Sequence, residues 1–520
     1  MKRLLGATAL CALTAVPAIA QDDQVAITVN AVQIFGTIDP AKINDYTEYM
    51  AAVNLYDALT TVDGSGQVTP QLAESWDISD DSLTYTFHLK AGATFQDGSP
   101  VTAQDVVYSI KRLIGINEGP AYLFSDLISE DSVTALDDQT VEIKLSKVYA
   151  PFISITPLLL VVNEDAIETA DGDEWGETFL ADSSAGAGPY SLQSWDRGAQ
   201  MTLARYDGYH AGWPNEKPID EVRFVITRDE ATVRALAQRE ELGISSQYQS
   251  LETYEGIGAL ENYRVITAPT ATGFYIKMNN QVAPTDDVHV RKAIAMAMDY
   301  DTIREVIYPG AIMKGPLADV FEAAIPDDAE APVYDLTAAQ EELAQSEYAG
   351  QGPIKLVHTY VSNTPFEEEI ALLFKATLDS IGFDVEIRPE PWNRITELAS
   401  SIETTPHTTQ VFYGPTYPSP DSVFYVQYDS DASGTWSGMD WVEDPAIDEM
   451  IEASRAETDT DARNGIYQDI YSKLVEDQRS VWLLAQERRF AAHECLQGYE
   501  WVPMQSWDFD FSRFSWSCEN

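Results

Sequence analysis

A helix that stops at a glycine and passes straight into a strand constrains the fold of this 520-residue chain more than any other feature. Thr364 and Pro365 form a helix start, and Glu367, Glu368 and Glu369 follow at the positive end of the helix dipole. Ile370, Leu373, Phe374, Thr377, Leu378 and Ile381 keep helical spacing until Gly382 ends the run, and Phe383, Val385 and Ile387 then alternate as a strand. Helix, glycine and strand in that order make the αβ unit of a layered sheet. Similar signals occur elsewhere. Leu83, Tyr85, Phe87 and Leu89 alternate with polar residues, the pattern of a half-buried strand. Thr102 and Asp105 then open a helix whose apolar face is Val106, Val107, Ile110, Leu113 and Ile114. Asp444 and Pro445 start a helix through Ile447, Met450 and Ile451, and Ile466, Ile470, Tyr471 and Leu474 mark one more. The expected fold class is α/β, on a chain long enough for more than one core.

The first twenty residues fix the compartment. Lys2 and Arg3 precede an apolar run over residues 4–16, and Ala18 and Ala20 are small residues placed for cleavage before Gln21. This is the pattern of a cleavable export signal, 1–20. The run is too short, and too soon followed by Asp22 and Asp23, to suit a membrane span. A lipid anchor on Cys11 is the rival reading, but the bulky Leu10 precedes it. The expected location is the periplasm. Cys495 and Cys518 remain after cleavage, and an oxidising compartment favours a disulfide between them that pins the C-terminal tail. Residues 151–162 form an apolar run holding two prolines, which reads as buried core.

Charge and motifs narrow the function. There are 84 acidic and 32 basic residues, a formal net charge of -52, so association with nucleic acid or anionic lipid would begin against like charge. Two readings of the acidity stand: a solvated surface adapted to salt, or a field that gathers cationic ligands. The sequence holds no Gly-x-Ser-x-Gly elbow, no phosphate loop and no His-Glu-x-x-His, and its six histidines are scattered without metal-ligand spacing. No cofactor, no metal and no catalytic residue is expected. Asp63 to Glu74 has some of the spacing of a calcium loop, but Val68 stands where the sharp turn needs glycine, and Pro70 intrudes, so it reads as a turn. An exported hydrolase with paired carboxylates stays open as a rival, because 84 acids hide any pair.

One constellation carries more. It comprises Gln71, Leu72, Ala73, Glu74, Ser75 and Trp76, then Tyr85, Phe87, Leu89 and Gly92, then Phe95, Asp97, Gly98 and Pro100, and finally Thr102, Asp105, Val106, Tyr108 and Arg112. With it come Asp39 and Pro40, Leu55 to Leu59, Gly188, Pro189 and Tyr190, Asp287 with Arg291, Ala293 and Asp299, Ile381 to Val385, and an acidic-aromatic stretch over 436–448. In this order they closely resemble the family 5 extracellular solute-binding proteins, which include dipeptide-, oligopeptide- and nickel-binding components of ABC importers. The resemblance implies a two-lobed periplasmic binding protein of the class II type with an extra domain inserted in the first lobe. Its expected boundaries are 21–58, 184–272 and 486–520 for lobe I, 59–183 for the inserted domain and 273–485 for lobe II. It further implies a monomer that takes a small solute into an interlobe cleft and passes it to ABC permease subunits in the inner membrane. A nickel- or haem-binding member is disfavoured by the lack of clustered His and Cys.

The resemblance also points to ligand-binding residues. In peptide-binding members an aromatic follows the strand after the Ile-Gly turn, where Trp392 falls. Some twenty residues later an acid pairs with the peptide ammonium. Alignment on Pro420 and Asp421 puts Thr416 there. A buried ammonium without counter-charge costs several kcal/mol, so peptides with a free amine are expected to bind poorly, with Asp421 the nearest substitute. Tyr413, Gly414, Tyr417 and Trp436 complete the set. The rings of Trp392, Tyr413, Tyr417 and Trp436 would instead suit an oligosaccharide or an opine through stacking.

Overall fold

The computed structural model describes residues 24–32, 36–170, 175–504 and 506–518. The export signal read over residues 1–20, with Cys11, lies outside the described residues. The α/β expectation is met by three main sheets. The first has four strands in the order Ala26–Ala31, Glu221–Ile226, Gln200–Arg205, Tyr190–Asp196, the first pair parallel and the others antiparallel. The second has six: Gly310–Ala311, Ser480–His493, Tyr263–Met278, Thr408–Tyr413, Ile354–Val361 and Phe383–Glu390. The third is antiparallel, in the order Ala73–Ile78, Thr84–Leu89, Thr140–Lys144, Val133–Asp137.

The αβ unit forms as its pattern predicts. Helix Pro365–Ile381 ends at Gly382, whose φ of 113° suits a residue without Cβ. The chain then enters strand Phe383–Glu390, parallel to Ile354–Val361. Ile370, Phe374, Leu378 and Ile381 bury against Leu356, Phe383, Val385 and Phe274 on one face of the six-stranded sheet. Tyr275, Val411, Tyr413 and Trp482 occupy its other face, under helices Pro445–Ala456 and Thr460–Glu476. Covered on both faces, this sheet is the heart of the second lobe.

The first lobe is built around the four-stranded sheet. The 59–183 segment carries the third sheet, yet Phe87, Val141 and Ile143 belong to one hydrophobic cluster with Val29 and Phe224, so packing is continuous between them. Helix Ala103–Ile116 opens with the expected capping box, in which the Thr102 N–H donates to Asp105 Oδ2 at 2.9 Å and Asp105 N–H donates back to Thr102 Oγ1. Arg112 on this helix holds Asp39 through two bonds of 2.6 Å, both residues buried. Residues 63–67 form a turn between Thr60–Val62 and Val68–Pro70, with Asp63 Oδ1 accepting from the Ser65 and Gln67 N–H groups. Residues 151–162 pack in the core.

The lobes are joined by two long antiparallel strands, Tyr263–Met278 and Ser480–His493. Ala492 and Val29 both bridge to Ile244, which ties the far end of Ser480–His493 to the first sheet. The ladder slips between Pro269 and Gly273, opposite Glu487 and Ala485, where one lobe gives way to the other. Cys495 and Cys518 are disulfide-bonded, with an S–S distance of 2.02 Å.

Candidate functional site

A cavity of about 1220 Å³ opens between the lobes, directly over the strand slip. Its floor is Ala271, Thr272, Gln486 and Glu487. The Thr270 hydroxyl donates to the Gln486 carbonyl at 2.7 Å and keeps the two strands in contact there. First-lobe walls come from the start of helix Tyr46–Leu55, from residues 119–122, 247–254 and 501–504. Second-lobe walls come from 306–309, 361–369, 392–396, 411–416 and 425–437.

Five of the seven sequence-predicted ligand residues lie on this wall: Trp392, Tyr413, Gly414, Thr416 and Trp436. Trp392 and Trp436 meet edge to face with ring centroids 5.2 Å apart, and Tyr413 lies 5.9 Å from Trp436. The Tyr413 hydroxyl is anchored to the Ser422 carbonyl. A Cβ added at Gly414 would come within 2.9 Å of Thr272 Oγ1, so the absent side chain lets the second lobe approach the floor. The Thr416 side chain lies within hydrogen-bonding reach of the Tyr122 hydroxyl, which stands on the first-lobe wall.

Tyr417 and Asp421 do not line the cavity. Both are fully buried behind it. Asp421 Oδ2 accepts from the hydroxyls of Tyr149 and Tyr417, each at 2.7 Å, and Asp421 Oδ1 is 3.6 Å from Arg455 Nε. Arg455 in turn stacks on Tyr425 at 3.8 Å and on Tyr149 at 4.8 Å, and its carbonyl accepts from Ala150 N–H. Burial raises the Asp421 carboxyl above its ordinary value, against the pull of Arg455 and the two hydroxyls. Asp421 is thus engaged in a cluster that fastens Tyr149, on the first-lobe side, to the second lobe.

Several wall residues carried no sequence signal. Tyr46 and Tyr248 meet edge to face at 6.3 Å on the first lobe. Tyr308, Phe366 and Phe412 form an aromatic group on the second, with Tyr308 and Phe366 at 4.3 Å. Arg488 reaches the cavity from the joining strand. Its charge is compensated by Asp508 at 2.5 Å, and its guanidinium lies 5.3 Å from the Tyr46 ring centre. Six carboxyl side chains line the cavity against the three arginines Arg228, Arg488 and Arg489. Among the described residues no group of three or more His, Cys, Asp or Glu is placed to hold a metal ion, and no helix is long and apolar enough to cross a membrane.

Two lobes hinged on a pair of strands, with an aromatic cavity over the joint, define a cleft-binding protein. Residues 67–435 match the family model for bacterial extracellular solute-binding proteins, family 5 (middle region), and the chain belongs to that family. It is 28% identical to the probable D,D-dipeptide-binding periplasmic protein DdpA of Escherichia coli K12 over 92% of each chain. It is 26% identical to the dipeptide-binding protein of the same strain over 91% of each. The fold is shared with DppA of Helicobacter pylori in complex with the peptide STSA, at a TM-score of 0.82 and 21% identity, covering 95% of this chain and 98% of that one. It is shared also with AgaA in complex with agropinic acid, at 0.78 and 21%, covering 96% and 99%.

Proposed function

We propose that this protein is the periplasmic capture subunit of an ABC importer, taking a peptide or peptide-like solute into the interlobe cleft and presenting it to inner-membrane permease subunits. The observation that carries this reading is the cavity itself. It lies over the joint between the lobes, so lobe closure would bury a ligand on all sides. Its volume exceeds the roughly 300–1,000 Å³ of ordinary small-molecule pockets, which leaves room for a short peptide with its side chains. Trp392, Tyr413 and Trp436 offer stacking surface, and hydroxyl and amide groups such as Thr416 and Gln486 offer orientation. The names of the relatives point the same way. The role is binding without catalysis, performed by a monomer exported through the 1–20 signal.

A second reading, an opine or oligosaccharide ligand, is favoured by Thr416. A hydroxyl there fits a neutral or hydroxylated group better than an ammonium. A thermal-shift screen of peptides, opines and sugars separates the two, since a ligand bound only by the folded state raises the melting temperature by mass action. Stabilisation by peptides, with loss of their uptake on deletion of the gene, supports the first reading. Stabilisation by opines or sugars alone replaces it, and turnover of the captured compound would move the protein to the hydrolases.

A further inference from the structure

Resting on the peptide-like reading and extending it, the cleft wall contains one acidic group whose surroundings differ from the rest. Glu367 lines the cavity from the first turn of helix Pro365–Ile381 and is only 4% exposed. Its Oε2 accepts the Val361 N–H at 2.8 Å. Among the described residues its other oxygen has no hydrogen-bond partner, and no Lys, Arg or His forms an ion pair with it. The basic residue closest in the hydrogen-bond network, His358, is buried, already bonded to Thr408 and Gln410, and held neutral by a pKa lowered to about 3. Burial raises the Glu367 carboxyl to about 8, and no neighbouring cation pulls it back.

The walls around Glu367 suit a cation. Phe366 precedes it and packs on Tyr308. Tyr248, 40% exposed, lines the same cavity from the facing lobe. Tyr308 and Tyr248 thus face one cavity from opposite lobes. Aromatic faces attract ammonium groups through their quadrupoles, and the Glu367 carboxyl, neutral while the site is empty, supplies the counter-charge by releasing its proton to solvent as the ammonium enters.

We propose that Glu367, on a cavity wall it shares with Tyr248, Tyr308 and Phe366, is a subsite for an alkylammonium group of the ligand. It takes over the charge pairing that Thr416 cannot provide. The ammonium belongs either to a peptide N-terminus or to an amine-bearing side chain.

Four forms of one dipeptide distinguish the sources: Lys-Ala, its Nα-acetyl form, its Nε-acetyl form and the doubly acetylated form. Each is titrated calorimetrically into the full-length mature wild type, Glu367→Gln and Glu367→Asp. The expected result is that the wild type prefers at least one amine-bearing form over the doubly acetylated one by about tenfold or more. Glu367→Gln should abolish that preference while binding the doubly acetylated form as before, and Glu367→Asp should keep part of it. Loss confined to the Nα-acetyl form assigns the N-terminus, and loss confined to the Nε-acetyl form assigns the side chain. Equal binding of all four forms to the wild type, or a preference unchanged in Glu367→Gln, overturns this subsite and leaves the peptide reading standing. Binding of none overturns both.

Discussion

Glu367 illustrates how a single residue can serve two purposes. As a helix-start acid it was legible from Thr364 and Pro365, and it does accept the Val361 N–H. Its burial without a cation was not legible, because the groups around it come from Tyr248, Tyr308 and Gln410, far away in sequence. The unliganded protein should bear a cost for it. The unfolded carboxyl titrates near 4.5 and the folded one near 8. Between those values the unfolded state gives up a proton that the folded state keeps, so the contribution of Glu367 to stability falls as pH rises, by roughly 5 kcal/mol across the window. In the folded state Tyr248, Tyr360 and His358 do not change charge in that range, the tyrosines being raised and the histidine lowered, and the titration of the unfolded His358 is common to wild type and variant. Urea denaturation should therefore show Glu367→Gln stabilising the apo protein by several kcal/mol more at pH 8 than at pH 4.5. An equal effect at both pH values would contradict the burial argument. Thr416 was legible in another way, by its place in a family pattern, whereas Asp421 was placed in the cleft because its partner Tyr149 lies 272 residues earlier, beyond any local signal.

At the scale of elements, periodicity read well wherever one segment sets its own boundaries. Helices Ala103–Ile116, Pro365–Ile381 and Pro445–Ala456 begin at the caps expected of Thr102, Thr364 and Asp444. What periodicity does not encode is pairing across the chain. Strands Tyr263–Met278 and Ser480–His493 are separated by some two hundred residues, and their slip at Pro269 and Gly273 shapes the cleft floor. The family motif residues turn out to be largely internal ties: Arg112 holds Asp39, and Gly188 lets the chain approach the Leu55 backbone. The cluster of Tyr149, Tyr417, Asp421 and Arg455 is another tie, and it links the lobes. Tyr149→Phe removes one donor from a buried carboxylate, at a cost of about 1–3 kcal/mol. Because that bond runs from the first-lobe side to the second lobe, the variant should also bind its ligand more weakly, measurable as a lower melting temperature together with a higher Kd. A lower melting temperature with unchanged affinity would show that the cluster does not bias closure.

Across the whole molecule, the C-terminal tail couples stability to the cleft. The loop closed by Cys495 and Cys518 contains residues 501–504, which line the cavity. A loop with a sequence separation of 23 contributes about 3 kcal/mol in the chain-entropy model. Reduction, or replacement of both cysteines by serine, should lower the melting temperature and loosen that wall, weakening ligand binding too. Unchanged affinity in the reduced protein would separate the tail from the site. The central claim is that the protein holds a peptide-like solute between its lobes. Clefts that close around ligand tend to release it slowly, so native mass spectrometry of protein purified without denaturation from the cells that make it tests the claim most directly. The account predicts a one-to-one complex whose added mass fragments as a short peptide or amino-acid conjugate, and which is lost on unfolding. A sugar in that position, or a cleft that stays empty in the presence of such peptides, would contradict it.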